Sequence, residues 1–173
     1  MLYLIFGGAA CGKSALAETV ALSLPGPKYY LATMDPEEPG AGARIARHRA
    51  LRRGKGFATI EQPRDPGALE PDPEGVLLLE CLTTLTANEC FGPRGFDNAE
   101  HRIFDSLMAL RDKCRHLVIV AGDLGRDGEC WDGLTGDYLA VLTALERRLA
   151  AASDVCAEVC CGIPIPLKGE LPL

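Results

Sequence analysis

Residues 7–14 combine the residue types and the spacing of a phosphate-binding loop. The segment matches the pattern G-x-x-x-x-G-K-[ST] at every defined position. Its glycines allow backbone angles that side chains forbid, so successive N–H groups can converge on phosphate oxygens. In such a loop the lysine, here Lys13, reaches the outer phosphates, and the hydroxyl, here Ser14, holds Mg²⁺. We therefore predict that a nucleotide binds to Gly7, Gly8, Ala9, Ala10, Cys11, Gly12, Lys13 and Ser14.

A carboxylate follows each of two later apolar segments. Glu80 closes the run Val-Leu-Leu-Leu of residues 76–79, which is typical of a buried strand in a parallel sheet. Ligands of open α/β sheets bind at the carboxyl ends of the strands, and a carboxylate there often organises Mg²⁺. We predict that Glu80 and Ser14 hold Mg²⁺, although an ordinary polar residue can also end a strand. Asp123, which follows residues 117–121, is equally compatible with a turn in Gly-Asp-Leu-Gly.

Residues 43–53, here called the basic segment, surround His48 with arginines and are predicted to form a helix. Positive neighbours disfavour the protonated form of an imidazole, and a neutral imidazole can attack the α-phosphate of a nucleoside triphosphate. Nearby guanidinium groups would stabilise the developing charge. On charge alone, a solvated basic face is the more common explanation, so both interpretations stay open at this point. The arginines are Arg44, Arg47, Arg49, Arg52 and Arg53.

Strands and helices alternate along almost the whole chain. The predicted strands are residues 1–6, 28–33, 57–61, 76–80, 116–121 and 154–163, with 165–168 as a hairpin partner of the last one. The predicted helices are residues 14–24, 43–53, 98–114 and 138–153; residues 81–90 form a helix or a turn, and residues 126–136 are irregular. Such alternation predicts a mainly parallel sheet covered on both faces. We predict one α/β domain over residues 1–173, a P-loop NTPase-like three-layer sandwich.

The composition excludes several classes of protein. A net charge of −6 over 173 residues argues against a nucleic-acid-binding protein, which needs a basic face. No apolar run approaches the length of a membrane span or resembles a signal sequence. The eight cysteines lack zinc-site spacing, and in the absence of a secretory signal we expect reduced thiols and a cytoplasmic protein.

Taken in order, the motifs resemble those of the bifunctional adenosylcobinamide kinase/adenosylcobinamide-phosphate guanylyltransferases of cobalamin assembly. Many families share the phosphate loop, whereas Arg-Ile-x-x-His at residues 44–48 followed by Leu-Leu-Glu-Cys-Leu-Thr at residues 78–83 is much more specific. The resemblance also covers residues 6–9, 12–14, 17–18, 30–33, 59–61 and 150–155, together with Pro63 and Asn88.

The resemblance implies two reactions. ATP or GTP would phosphorylate the aminopropanol hydroxyl of adenosylcobinamide, and GTP would then transfer GMP to that phosphate through a covalent enzyme intermediate. The family's guanylylated histidine falls on His48, so we expect His48 and Lys13 to be the catalytic residues. Besides the phosphate loop, the family's nucleotide contacts fall on Ala32, Thr33, Arg49, Ala50, Leu51, Arg52, Glu61 and Glu80. The family's assembly as trimers implies a homotrimer whose neighbouring subunits form the substrate cleft.

The chain departs from the family pattern after the fifth predicted strand. Where the family usually has Asn-Glu-Val-Gly, residues 122–125 read Gly-Asp-Leu-Gly. The family's later Arg…Arg-Asp and Asn-Gln positions fall on residues 138–140, Tyr-Leu-Ala, and on residues 146–147, Glu-Arg. Three alternatives therefore stay open beside the bifunctional enzyme. The chain could be a guanylyltransferase without kinase activity, a different small-molecule P-loop kinase, or a nucleotide-binding paralogue without catalysis.

Overall fold

One seven-stranded sheet runs through the part of the chain that the structure describes. The structure is a computed structural model that describes residues 1–36, 42–43, 45–46, 50, 54–124 and 131–173. The strands are β1 (Leu2–Gly7), β2 (Lys28–Ala32), β3 (Ala58–Glu61), β4 (Val76–Leu79), β5 (His116–Gly122), β6 (Val155–Cys160) and β7 (Ile163–Lys168). Their spatial order is β3-β2-β4-β5-β1-β6-β7.

The sheet is parallel except at one edge. β1 to β6 pair in parallel, and only β7 runs antiparallel, against β6. Parallel pairing brings the carboxyl ends of the strands to one side of the sheet, and the register aligns Gly7 of β1 with Gly122 of β5. The predicted mainly parallel sheet is therefore confirmed, and the phosphate loop begins where β1 and β5 end together.

The helices cover both faces of the sheet. They are α1 (Lys13–Ser23), α2 (Leu82–Cys90), α3 (Ala99–Asp112) and α4 (Gly133–Ala152), and Pro66–Ala68 forms a 3₁₀ turn. Alternate residues of β1 point to opposite sides: Leu2 and Leu4 join the core under α2, α3 and α4, whereas Tyr3 and Ile5 join the core under α1. The fold is the predicted α/β three-layer arrangement of a P-loop protein.

The predicted last strand is wrong in one respect, because it divides into β6 and β7. Cys161 and Gly162 have φ of +50° and +81°, so both central residues of the turn are left-handed. Two such residues form the tight turn that matches the twist of a hairpin, and Cys160 pairs directly with Ile163 across it. The hairpin itself was predicted, but β7 begins at Ile163 rather than at Ile165.

The fourth helix begins earlier than predicted. The prediction placed its start at Tyr138 after an irregular tract over residues 126–136, but α4 begins at Gly133. Two glycines in its first turn weaken the helical pattern in the sequence. At Gly136, an added Cβ would lie 2.1 Å from the carbonyl oxygen of Trp131, so this glycine permits a close backbone approach. Residues 125–130 of the tract lie outside the described residues.

The basic segment is described only in part. Gly42, Ala43, Ile45, Ala46 and Ala50 are helical, and Ala50 is exposed. His48 and the arginines of the segment lie outside the described residues. Among the described helices, none combines the length and the apolar character that a bilayer crossing requires. The cysteines in the described ranges are free thiols: Cys11, Cys81, Cys90, Cys114, Cys156, Cys160 and Cys161.

Candidate nucleotide site

The phosphate loop joins β1 to α1 and has the backbone that its glycines predict. Gly12 has a φ of +97°, in the region that favours glycine. An added Cβ at Gly7 would lie 2.6 Å from the carbonyl oxygen of Val159, so a side chain does not fit there. The loop is also tied to the β6–β7 turn, because Gly162 N donates to Cys11 O at 2.8 Å. These contacts fix the loop at the carboxyl end of the sheet.

Lys13 and Ser14 form the first turn of α1. Lys13 Nζ donates to Gly8 O at 2.9 Å, so its ammonium group lies across the loop. The first turn of α1 carries no acidic residue, so the partial positive charge of the helix N-terminus is not neutralised there. The lysine, the helix terminus and the backbone N–H groups thus offer one positive surface to an anion.

A cavity of about 360 Å³ opens beside the phosphate loop. We call it the loop cavity; its lining includes Lys13, Ser14, Thr33, Glu80 and Asp123. These residues come from α1 and from the ends of β2, β4 and β5. Because parallel strands end on one side of the sheet, residues distant in the sequence meet in this single cavity. The structure therefore brings together Lys13, Ser14 and both candidate carboxylates.

Backbone hydrogen bonds position the two carboxylate residues. Glu80 N donates to Leu31 O at 3.0 Å, which places Glu80 directly after β4 and beside β2. Asp123 N donates to Gly7 O at 3.2 Å, which ties Asp123 to the first residue of the phosphate loop. Both residues have further interactions within the protein. Both carboxylates thus face the cavity from strands whose ends are held in register.

The donor set of the loop cavity fits Mg²⁺. This ion prefers oxygen ligands and is usually held by one or two carboxylates, with phosphate oxygens and water completing its shell. The Ser14 hydroxyl and the carboxylates of Glu80 and Asp123 line the same cavity. In the described ranges, no group of three or more His, Cys, Asp or Glu side chains is arranged to hold a metal by itself. The cavity therefore offers a few oxygen ligands to a cation whose other ligands are phosphate oxygens and water.

Thr33 and Asn88 brace the wall of the cavity opposite the loop. Thr33 is fully buried, and its hydroxyl donates to Cys81 O at 3.3 Å. Asn88 Nδ2 donates to Thr33 O at 2.7 Å and to Pro63 O at 2.9 Å. The amide thus links the segment after β2 to the segment after β3. Thr33 was predicted as a nucleotide contact, whereas Asn88 had been noted only as part of the family resemblance.

Sequence reasoning missed the contribution of the first turn of α2. Thr83 and Thr84 line the loop cavity, and Cys81 caps the helix by accepting from Thr84 N at 3.4 Å. Tyr138 Oη of α4 donates to Thr83 O at 3.0 Å. Burial raises the pKa of Tyr138 well above its usual range, so the phenol keeps its proton and acts as a donor. The sequence signal that could have identified Thr83 as a lining residue is its position three residues after Glu80.

Three of the other predicted site residues, Ala32, Ala50 and Glu61, are not part of the lining of the loop cavity. Ala32 and Glu61 are paired across β2 and β3, and Glu61 is exposed. β3 is an outer strand, separated from β1 by β2, β4 and β5. Ala50 is helical and exposed. His48, Arg49, Leu51 and Arg52 lie outside the described residues, so their roles stay predictions.

Comparison with known proteins decides the family. The family model described as cobinamide kinase/cobinamide phosphate guanyltransferase (CobU) matches residues 3–167. This match covers the phosphate loop, every wall of the loop cavity and the turn between β6 and β7. The chain belongs to this family. Its members are transferases, and the chain is accordingly a transferase.

The chain aligns with curated relatives over nearly the full length of both sequences. The chain is 31% identical to the bifunctional adenosylcobalamin biosynthesis protein CobP of Pseudomonas aeruginosa over 172 aligned positions, covering 96% of this chain and 97% of that protein. It is 30% identical to the bifunctional adenosylcobalamin biosynthesis protein CobU of Salmonella typhimurium over 183 aligned positions, covering 97% of this chain and all of that protein. The protein of the same name from Escherichia coli is 27% identical, with the same coverage.

Proposed function

We propose that the chain is an adenosylcobinamide kinase and adenosylcobinamide-phosphate guanylyltransferase. The observation that carries this proposal is the loop cavity, where Lys13, Ser14, Glu80 and Asp123 meet in a chain that matches the family over residues 3–167. The names of the relatives, which describe bifunctional proteins of adenosylcobalamin biosynthesis, support the same substrate. The nucleotide is GTP, with ATP or GTP as donor in the kinase reaction, and Mg²⁺ accompanies it.

In the kinase reaction, the loop cavity holds the triphosphate. The acceptor hydroxyl attacks the γ-phosphorus, the bond to the β–γ bridging oxygen breaks, and the nucleoside diphosphate leaves. Lys13 stabilises charge on the transferred group, and the backbone N–H groups of the loop hold the remaining phosphates. Asp123 accepts the hydroxyl proton. Ser14 and Glu80 would hold Mg²⁺, which neutralises phosphate charge when it is bound.

In the guanylyltransferase reaction, His48 acts as the nucleophile. Its neutral imidazole attacks the α-phosphorus of GTP, pyrophosphate leaves, and GMP stays on the nitrogen as a phosphoramidate. A phosphate oxygen of adenosylcobinamide phosphate then attacks the same phosphorus and displaces the imidazole, giving adenosyl-GDP-cobinamide. Arginines of the basic segment stabilise the negative charge that develops in both steps. The motif Arg-Ile-x-x-His at residues 44–48 supports this role.

We also propose that the enzyme is a cytoplasmic homotrimer. The resemblance to a trimeric family supports this, together with a row of exposed apolar side chains on the outer strand β7. Ile163, Ile165 and Leu167 are 65%, 42% and 58% exposed. Ile163 and Ile165 are two apart and share a face of the strand, whereas Leu167 lies at an irregularity in the pairing with β6. Exposed apolar side chains on one outer strand are suited to contact with another subunit.

Product analysis tests the proposed function. The protein is incubated with adenosylcobinamide, Mg²⁺ and GTP. The corrinoids are then separated by chromatography, and their masses are measured by mass spectrometry. We expect both cobinamide phosphate and GDP-cobinamide. Lys13→Ala should slow phosphorylation about 100-fold, whereas Lys168→Ala, at the other end of the sheet, should leave it unchanged.

The products also separate the alternatives. Absence of both products would refute the proposal and favour a nucleotide-binding paralogue without catalysis. Conversion of supplied adenosylcobinamide phosphate, without phosphorylation of adenosylcobinamide, would indicate a guanylyltransferase that lacks kinase activity.

A further inference from the structure

The hydroxyl of Thr83 is a polar group for which the described protein provides no partner. Its Oγ1 is inaccessible to solvent and makes no hydrogen bond within the described ranges. Buried polar groups in native proteins are almost always hydrogen-bonded, so an exception calls for an explanation. Thr83 lines the loop cavity, which is where the proposed nucleotide would lie.

The surroundings of Thr83 fix its position. Its carbonyl accepts a hydrogen bond from Tyr138 at 3.0 Å, and the helix that it begins is capped by Cys81. The hydroxyl points toward the end of β5, because an added Cβ at Gly122 would lie 2.9 Å from Thr83 Oγ1. The absence of a side chain at Gly122 therefore allows the hydroxyl to pack closely against the end of β5.

This hydroxyl lies across β5 from the phosphate loop. Gly122 pairs with Gly7, the first residue of the loop, and β5 lies between β1 and β4. The loop backbone holds the inner phosphates of a bound nucleotide, and Lys13 reaches outward from them. Lys13, Glu80 and Thr83 line the same cavity, so we place the terminal phosphate on the side of Glu80 and Thr83. Because Thr83 lines the cavity, rotation of its side chain about χ1 would bring the hydroxyl from its buried position to a charged phosphate oxygen there, which is the acceptor that it lacks.

We propose that Thr83 Oγ1 donates a hydrogen bond to the terminal phosphate of the nucleoside triphosphate bound at the phosphate loop. Thr83 is then a residue that distinguishes a triphosphate from a diphosphate. This inference rests on the proposed nucleotide binding and adds a contact that involves neither the loop nor the metal. Because the hydroxyl would contact only the terminal phosphate, removing it should weaken the binding of a nucleoside triphosphate and leave the binding of a diphosphate nearly unchanged.

The test compares binding of a non-hydrolysable GTP analogue and of GDP, each with Mg²⁺, by calorimetry. Thr83→Val removes the hydroxyl at nearly constant shape and should weaken analogue binding about tenfold, as expected for loss of a hydrogen bond to a charged group. GDP binding should change by less than about twofold, and Thr83→Ser should restore analogue binding. Thr86→Val is the matched control: Thr86 is buried on the same helix, but its hydroxyl donates to Leu82 O at 2.9 Å.

A second variant covers the case in which Thr83→Val folds poorly. Thr83→Ala removes the hydroxyl without adding bulk and should cause the same selective loss, with thermal unfolding of each variant as the check on folding. Equal losses for the analogue and GDP, or no loss for either, would overturn the proposal. A raised KM for adenosylcobinamide with unchanged analogue binding would also overturn it, because the hydroxyl would then contact the acceptor. Wild-type protein that binds neither nucleotide would refute the proposed function itself.

Discussion

Replacing Asn88 tests whether the cavity wall depends on one side-chain amide. Asn88 Nδ2 donates to Thr33 O and to Pro63 O, at 2.7 and 2.9 Å. In Asn88→Asp, an oxygen replaces the amide nitrogen and faces two carbonyl oxygens that have lost their donor. Each lost hydrogen bond costs about 1–2 kcal/mol, so the free energy of unfolding should fall by about 2–4 kcal/mol.

Urea denaturation followed by circular dichroism measures this change. With a slope of about 2 kcal/mol per molar urea, the midpoint should fall by about 1–2 M. Asn98→Asp is the matched control, because Asn98 is exposed and its side chain does not cap α3; its midpoint should change by less than about 0.3 M. An unchanged midpoint in Asn88→Asp would refute the bracing role of this amide.

Three further predictions concern other parts of the structure. Gly7→Ala should abolish measurable GTP binding in calorimetry, because its Cβ would lie 2.6 Å from Val159 O; retained affinity would contradict the loop geometry. Burial, with nearby positive charge, lowers the pKa of His116. The folded state then favours neutral imidazole, so the free energy of unfolding should fall below about pH 6.5, and His116→Leu should weaken that dependence. Burial raises the pKa of Cys90 to about 11. Stability should therefore fall as the pH rises from about 9 to 11, and a denaturation series should show a smaller fall in Cys90→Val.

The phosphate loop and the order of the elements were predictable because they depend on local patterns. Residues 7–14 carry their own backbone requirements, and the apolar run before Glu80 indicates a buried strand wherever the rest of the chain lies. Parallel pairing then requires the strand ends to meet. The grouping of Lys13, Ser14 and Glu80 in one cavity follows from these two facts.

The supporting contacts were not predictable from local patterns. Asn88 joins Thr33 to Pro63 across 55 and 25 positions of the sequence, and Tyr138 reaches Thr83 from a different helix. Such pairs depend on how helices pack over the sheet, which periodicity does not specify. The start of α4 at Gly133 was missed because glycines in a first turn resemble a loop when only the sequence is considered.

The proposed guanylyltransferase reaction requires that His48 carry GMP. Intact mass spectrometry after incubation with Mg²⁺ and GTP tests it most directly, with Mg²⁺ and ATP as the nucleotide control and His101→Ala as the matched histidine control, since His101 is exposed. We expect a gain of one GMP in the wild type and in His101→Ala, lost in acid as a phosphoramidate should be, and no gain in His48→Ala. An adduct that persists in His48→Ala, or wild-type protein that binds GTP without forming an adduct, would contradict the account.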